Sequence, residues 1–253
     1  SEYSEAAAAK LVYDDKIDIL VDLAGHTRGS NLGLFAHKPA PIQAHYLGYG
    51  ATVGADYIPW LISDPIHTSP ELLDHCSESV VFLPNSFMPA KKPKECTFEI
   101  KREDQNLPKT AIVFTNFNAT YKFDPNSFLT WMKILNKCPQ SVLWLRVGST
   151  AAKENLRNVA KDFGINPDKL IFAERLERPE HIKRLGLADI ALDTFLHNGG
   201  VTTIDALIAG IPVITCSGKS HSERTGASIL SAAGLKELVT DSSENYAKLA
   251  LKL

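Results

Sequence analysis

No apolar run in this chain approaches the ~18–20 residues that a membrane-crossing helix needs, and no signal-peptide pattern opens it. An excess of one charge is missing too. The chain has 27 Lys and Arg against 29 Asp and Glu, so neither nucleic acid nor an anionic membrane is an expected partner. The four cysteines, Cys76, Cys96, Cys138 and Cys216, form no Cys-x-x-Cys pair and no metal-ligand spacing. The expectation is a reducing, cytoplasmic setting with no metal and no resident cofactor. Also absent are an internal repeat, a Walker A loop, a Gly-x-Gly-x-x-Gly loop and an Asp-x-Asp triplet.

What is present is ordinary globular material. The 253 residues are 44% hydrophobic, enough for one large or two modest domains. Both ends, SEYSEAAAAKLVYDD and SENYAKLALKL, read as helix, and the second stops without a cap or glycine. A piece of a longer protein is expected, cut at both ends.

Short β-branched runs alternate with longer helical patterns, the signature of parallel βαβ units. In the first region the strands fall at 17–25 (IDILVDLAG), 41–49, 57–64 and 80–84, and SPELLDHCSE starts a helix with Ser69 as cap and Pro70 first. A proline- and charge-rich stretch follows. The expected division is residues 1–90 as one domain, 91–108 as a linker, and 109–253 as a second domain.

The second region carries strands at 111–117, 141–147, 169–174, 190–194, 212–216 and 237–240, with helices between them. Gly164, Gly210 and Gly234 stand where C-terminal caps belong. Six alternating strands predict a doubly wound, Rossmann-like α/β domain whose ligand sits at the carboxyl ends of the strands. That rule selects the loops TNFNATYK, AERLERPEH, LDTFLHNGGVTT and TCSGKSHSERTG.

These loops share a chemistry. HNGGVTT leads into a helix start, where backbone N–H groups and the dipole favour an anion, and Gly199 and Gly200 permit close approach. Thr202 and Thr203 add hydroxyls, and Asp205, placed in the first turn, is an acceptor for sugar hydroxyls. Lys122 follows the first strand of the domain and suits a phosphate. Arg178, His181, Lys183 and Arg184 put positive charge at another helix start, and Arg224 opens a third beside glycines and hydroxyls. Each loop alone has a plain reading as a capped or solvated helix end. Together they point to a nucleotide-type ligand with a diphosphate.

The strings NFNATYKFDP, VLWLRV, ERPEHIKRLGLADIALDTF, NGGVTTIDALIAGIPVIT and GHTRGSNLGLFAHKPAPIQAHYLGYGATVGADYI resemble the catalytic region of the O-GlcNAc transferase / SPINDLY family, in the same order. The resemblance runs almost the length of the chain, the linker excepted. It implies a GT-B-like fold: a nucleotide-sugar-binding Rossmann-like domain at 109–253, plus the C-terminal part of a second, acceptor-side Rossmann-like domain at 1–90. It also implies tetratricopeptide repeats elsewhere in the parent.

By that resemblance Lys122 is the catalytic lysine on the donor diphosphate. Arg178 and His181 lie at the nucleoside, Asp205 at the ribose, the 200–203 loop at phosphate, and Arg184, His197 and Arg224 around the same donor. His26, Gly48 and Tyr49 fall on the sugar or acceptor side. The implied reaction is inverting, metal-independent transfer of a sugar, with GlcNAc from UDP-GlcNAc the leading donor, to Ser or Thr hydroxyls of an acceptor protein. As a diphosphate leaves, preorganised positive groups stabilise its growing charge. GDP-fucose transfer, nucleotide-sugar epimerisation and non-catalytic nucleotide-sugar binding are the alternatives. Departures from the family pattern concentrate in the loops. Gly200 and Val201 stand where the animal enzyme has His and Thr, His197 replaces a cysteine, Ala119 a glutamine, and GYGATVG the usual GYPGTSG.

His37, His45, His67 and His75 have no metal spacing and read as structural or exposed. Trp60, Trp131 and Trp144 lie in apolar periodic segments and are expected in the core. The KKPK run at 91–94 is too short for a nucleic-acid patch.

Overall fold

A computed structural model describes residues 3–91 and 99–253. Cys96, and the parts of the KKPK run and the expected linker within 92–98, lie outside the described residues. The chain divides into two compact units, Ser1–Pro89 with Lys219–Ser222, and Ala90–Gly218 with Glu223–Leu253.

The first unit contains α1 (Glu5–Asp14), β1 (Ile19–Asp22), α2 (Leu32–Ala36), β2 (Ile42–Tyr46), β3 (Trp60–Ser63), α3 (Pro70–Leu73) and β4 (Ser79–Phe82). The strands form a parallel sheet in the order β1-β2-β3-β4. Short α2 has no counterpart in the sequence reading. Register pairs Ile19 with Ile42, Ala44 with Trp60, and Ile62 with Val81, which puts these residues on one face. On that face Ile19, Val21, Ile42, Trp60 and Val81 are exposed, while Asp22, Gln43, His45, Leu61 and Ser63 on the other face are buried. Trp60, expected in the core, is therefore 40% exposed. Its apolar periodicity is real, but it belongs to a sheet face that the described residues leave largely exposed.

The second unit alternates strictly: β5 (Ile112–Asn116), α4 (Pro125–Lys137), β6 (Ser141–Arg146), α5 (Thr150–Asp162), β7 (Leu170–Ala173), α6 (Arg178–Leu185), β8 (Ile190–Leu192), α7 (Val201–Ile208), β9 (Val213–Cys216), α8 (Thr225–Ala232), β10 (Val239–Thr240) and α9 (Ser243–Lys252). All pairs are parallel in the order β10-β9-β8-β5-β6-β7. Counted within the unit, this is the doubly wound order 3-2-1-4-5-6.

Both faces of this sheet are covered. Leu143 and Leu145 of β6 join Trp131 and Leu135 in one core layer, and Val142 and Trp144 join Leu185 and Leu230 in the other. A near-continuous apolar strand such as SVLWLR is what two covered faces require. Gly164, Gly210 and Gly234 follow α5, α7 and α8 at φ of 71°, 82° and 76°, a left-handed exit that glycine adopts at no steric cost.

Residues 99–108, expected as linker, pack with the second unit. Arg102 donates to Leu187 O at 3.1 Å, to Ala111 O at 2.8 Å and to Asp189 Oδ2 at 3.0 Å. Leu107 is buried in the second core layer.

Candidate active site

The strand order of the second unit reverses between β5 and β8, so the loops leaving these two strands open on the crevice where doubly wound folds take a ligand. β5 ends on Asn116, whose Nδ2 donates to Leu192 O at 2.6 Å and whose Oδ1 accepts from Asn118 N at 2.9 Å. Asp193, one residue past β8, is buried and gathers the surrounding donors. Its Oδ1 accepts from Asn118 Nδ2 (3.1 Å), Thr194 N (2.9 Å) and Gly199 N (2.7 Å), and its Oδ2 accepts from Thr215 Oγ1 (2.8 Å). Burial pushes its pKa up to about 6 although all four bonds pull the other way.

The loop from Asp193 to Gly200 is thus folded back on itself. Asn198 is buried, donates to Thr194 O at 2.6 Å and accepts from Gly226 N at 3.2 Å. Thr194 Oγ1 donates to His197 O at 2.6 Å. Thr202 donates to Asn118 Oδ1, and Thr203 donates to Gly199 O at 3.0 Å. Both threonine hydroxyls expected at a phosphate are therefore engaged in shaping the loop. Gly200 precedes α7 with no side-chain cap, which leaves the first backbone N–H groups of that helix to an incoming anion.

Lys122 reaches across to this loop, its Nζ donating to Asn198 O at 2.9 Å. That is one of three ammonium donors. Burial lowers its pKa, and the Asp193 charge opposes the shift. His197, on the exposed side of the loop, sets its ring edge against Tyr121 at 6.1 Å between centroids. Burial and the Lys122 charge lower its pKa.

A second group stands at the start of α6. Arg178 Nη2 lies 2.7 Å from Asp205 Oδ1, with Nε at 3.1 Å. Asp205 was expected in the first turn of α7, open to sugar hydroxyls; because that helix begins at Val201, Asp205 falls in the second turn, buried and ion-paired. Arg184, the last basic residue of ERPEHIKR, is 1% exposed rather than solvated. It donates to Glu174 O at 2.6 Å and sits over the rings of Phe117 and Trp144 at 4.9 and 5.9 Å.

Arg184 Nε donates to His181 Nδ1 at 3.2 Å, which makes Nδ1 the acceptor and leaves the proton on Nε2. His181 is held neutral, its pKa lowered to about 4 by burial and then by the charges of Arg184 and Arg146. It presents a neutral N–H donor beside Phe117, 4.9 Å from ring to ring. Arg224 caps the Gly218 carbonyl at 3.0 Å from the start of α8.

The sequence profile of glycosyl transferase family 41 matches residues 2–95 and 89–253. The chain belongs to that family. It is 37% identical over its whole length to a probable UDP-N-acetylglucosamine–peptide N-acetylglucosaminyltransferase, SEC, of Arabidopsis thaliana, and 33% identical over 98% of its length to the SPINDLY protein of Oryza sativa subsp. japonica. In each case it spans 27% of the relative's length. Among solved structures, a mutant O-GlcNAc transferase of Thermobaculum terrenum superposes with a TM-score of 0.90 at 29% identity, over 99% of this chain and 48% of that one. A sucrose-phosphate synthase of Thermosynechococcus elongatus, at 12% identity and a TM-score of 0.62, shares the fold. The fold class expected from the sequence, α/β with parallel sheets and GT-B neighbours, holds.

In the first unit the residues expected on the sugar or acceptor side, His26, Gly48 and Tyr49, lie together past β1 and β2. His26 Nε2 is 2.9 Å from Val53 O and its ring meets Tyr49 edge-on at 5.4 Å. Gly48 is required by packing: a Cβ there would lie 1.9 Å from Leu23 O. Beneath them His45, fully buried, places Nδ1 2.7 Å from Asp22 Oδ2 and its Nε2 against Tyr49 O.

Sequence reasoning missed Asp193, Asn116, Asn118 and Asn198. A signal existed in an acid closing the apolar run IAL, and in two asparagines closing IVFT. Short polar side chains at the ends of adjacent central strands have nowhere to go but into the crevice. Among the described residues no group of three His, Cys, Asp or Glu could hold a metal, and no helix is long and apolar enough to cross a membrane.

Proposed function

We propose that this chain carries the donor-binding half of an inverting glycosyltransferase that moves a sugar, GlcNAc from UDP-GlcNAc in the leading reading, onto Ser or Thr hydroxyls of an acceptor protein. The observation that carries the reading is Lys122 Nζ, seated on Asn198 O beside the uncapped start of α7 at the switch point of a doubly wound sheet. Two positive features converge there, as a leaving diphosphate requires. The naming of the family relatives as peptide N-acetylglucosaminyltransferases supports the same reaction. The second unit is the nucleotide-sugar domain and the first contributes to the acceptor side.

The geometry supports the following roles. Lys122 and the first N–H groups of α7 hold the diphosphate and take up its developing charge, so the site supplies without a metal what a divalent ion otherwise would. His181, a neutral Nε2–H donor, suits a carbonyl of the nucleobase. Arg178, held by its ion pair with buried Asp205, stands at the nucleoside side of the site, and His197 faces the sugar from the exposed side of the loop.

Titration calorimetry with UDP, GDP and their sugars tests the pocket. Binding of UDP and UDP-GlcNAc is expected; silence with both nucleotides removes the donor site, and preference for GDP redirects the reading to fucosyl transfer. In the full-length protein, Lys122→Ala should lower the rate of transfer by ~100-fold or more, the scale of removing one preorganised charge-stabilising group, with a much smaller loss of nucleotide affinity. Equal losses in both would reduce the lysine to a binding group.

A further inference from the structure

The donor site rests on a carboxylate that no ligand would touch. Asp193 is 3% exposed and makes no ion-pair contact among the described residues, yet four donors from three segments converge on it: Asn118 after β5, Thr194 and Gly199 in its own loop, and Thr215 on β9. Its backbone carbonyl accepts from Tyr246 of α9 at 2.9 Å. An ionised carboxylate removed from water is costly even when well hydrogen-bonded. An amide of the same shape would avoid most of that cost, but one of its two positions could not accept a hydrogen bond. Here both oxygens accept.

The arrangement also has an electrostatic consequence. Among the described residues Lys122 hydrogen-bonds a neutral carbonyl, Asn198 O, and no carboxylate, and Asn198 belongs to the loop that Asp193 folds. Among the described residues, the titratable groups whose charges couple to Asp193 are Lys122 from the loop after β5, Cys216 on β9 and Tyr246 on α9. Of these only Lys122 is a cation. On α8, Gly226 closes the remaining side, its missing Cβ only 2.7 Å from Oδ2.

Resting on the donor-site reading above, we propose that Asp193 is the positioning and charge-compensating residue of the donor site. Its carboxylate holds the 193–200 loop so that the start of α7 and Lys122 meet at one point, and it takes up a proton when a diphosphate arrives at Lys122. An arriving anion competes for the one cation that balances Asp193 in a low-dielectric surrounding. The proton moves from solvent to an Asp193 oxygen, so the charge at that oxygen balances. Its pKa already lies at about 6, close enough to neutrality for such a shift to be read.

The test is calorimetry of a nucleotide sugar binding to the full-length protein, in buffers of differing ionisation enthalpy, between about pH 6 and 7.5. A sugar diphosphate esterified at both ends exchanges no proton of its own there. The wild-type protein is expected to take up a fraction of a proton on binding, and Asp193→Asn to bind more weakly and take up clearly less. Thr215→Val, which removes one bond to Oδ2 and keeps the acid, should shift the uptake to higher pH; it carries the test if Asp193→Asn fails to fold. Equal uptake in wild type and Asp193→Asn, or an unshifted profile in Thr215→Val, overturns the proposal. Absence of nucleotide-sugar binding by the wild-type protein is a separate result that overturns the donor site itself.

Discussion

A methyl group at Gly226 has nowhere to go: its carbon would stand 2.4 Å from Thr215 Oγ1 and 2.7 Å from Asp193 Oδ2. Neither neighbour is the free end of a flexible chain, since both belong to the hydrogen-bond network under the donor loop. Gly226→Ala should therefore cost ~1–3 kcal/mol, the usual scale of overpacking, and weaken nucleotide binding through the displaced carboxylate. Urea denaturation and calorimetry check both. An unchanged midpoint would mean that the helix shifts freely, contrary to the packing. Gly199 is confined in the same way, with Thr202 and Thr203 hydroxyls at 2.6 Å from its missing Cβ. The sequence marks these positions as glycines, but only the fold gives the reason.

Among the elements, α4 does more than cover the sheet. Asp124 caps it by accepting from Ser127 N at 3.0 Å and from the Ser127 hydroxyl, and Ser127 Oγ in turn accepts from Phe195 N at 2.8 Å. The start of a helix after β5 is thereby tied to the loop after β8. Replacing Asp124 with Ala should cost about 1–2 kcal/mol, as loss of a helix cap does. It should also lower nucleotide affinity more than removal of the Ser149 cap of α5, whose hydroxyl receives only Ala152 N. Thermal unfolding and calorimetry on the two variants decide it; equal effects on affinity would show that the α4 cap has no link to the site. The Asp124 cap is legible in the sequence from Asp-Pro. Its link to the active loop is not.

For the molecule as a whole, one buried and one half-buried group titrate in opposite senses. Asp193 has a folded pKa of about 6 against an ordinary 3.8, so between these values the folded state keeps a proton the unfolded chain has lost, and stability falls as pH rises. His181 has a folded pKa of about 4 against an ordinary 6.5, so the unfolded chain binds the extra proton there and stability rises with pH. The two slopes oppose each other over the same window. Replacing His181 with Gln leaves Asp193 alone, and from about pH 4.5 to 6 the unfolding midpoint should fall relative to the wild-type curve. A relative rise across that window would mean that one of the two directions is wrong.

Composition, strand–helix alternation and capping residues determined a great deal unaided: two parallel α/β regions, ten strands near their final places, and the four loops at the carboxyl edge of the second sheet. These are local properties, since a period-2 or period-3.6 pattern and a capping residue act within a few positions of themselves. Tertiary structure decided the rest. It put Asp193, Asn118 and Asn198 into one network although up to 80 residues separate them. It moved Asp205 from a free acid into an ion pair with Arg178. It buried Arg184 behind His181 and left Trp60 on a largely exposed face. Burial and hydrogen bonding at a strand end depend on which distant strand lies alongside, and that is fixed by the sheet order, not by the residues of either loop.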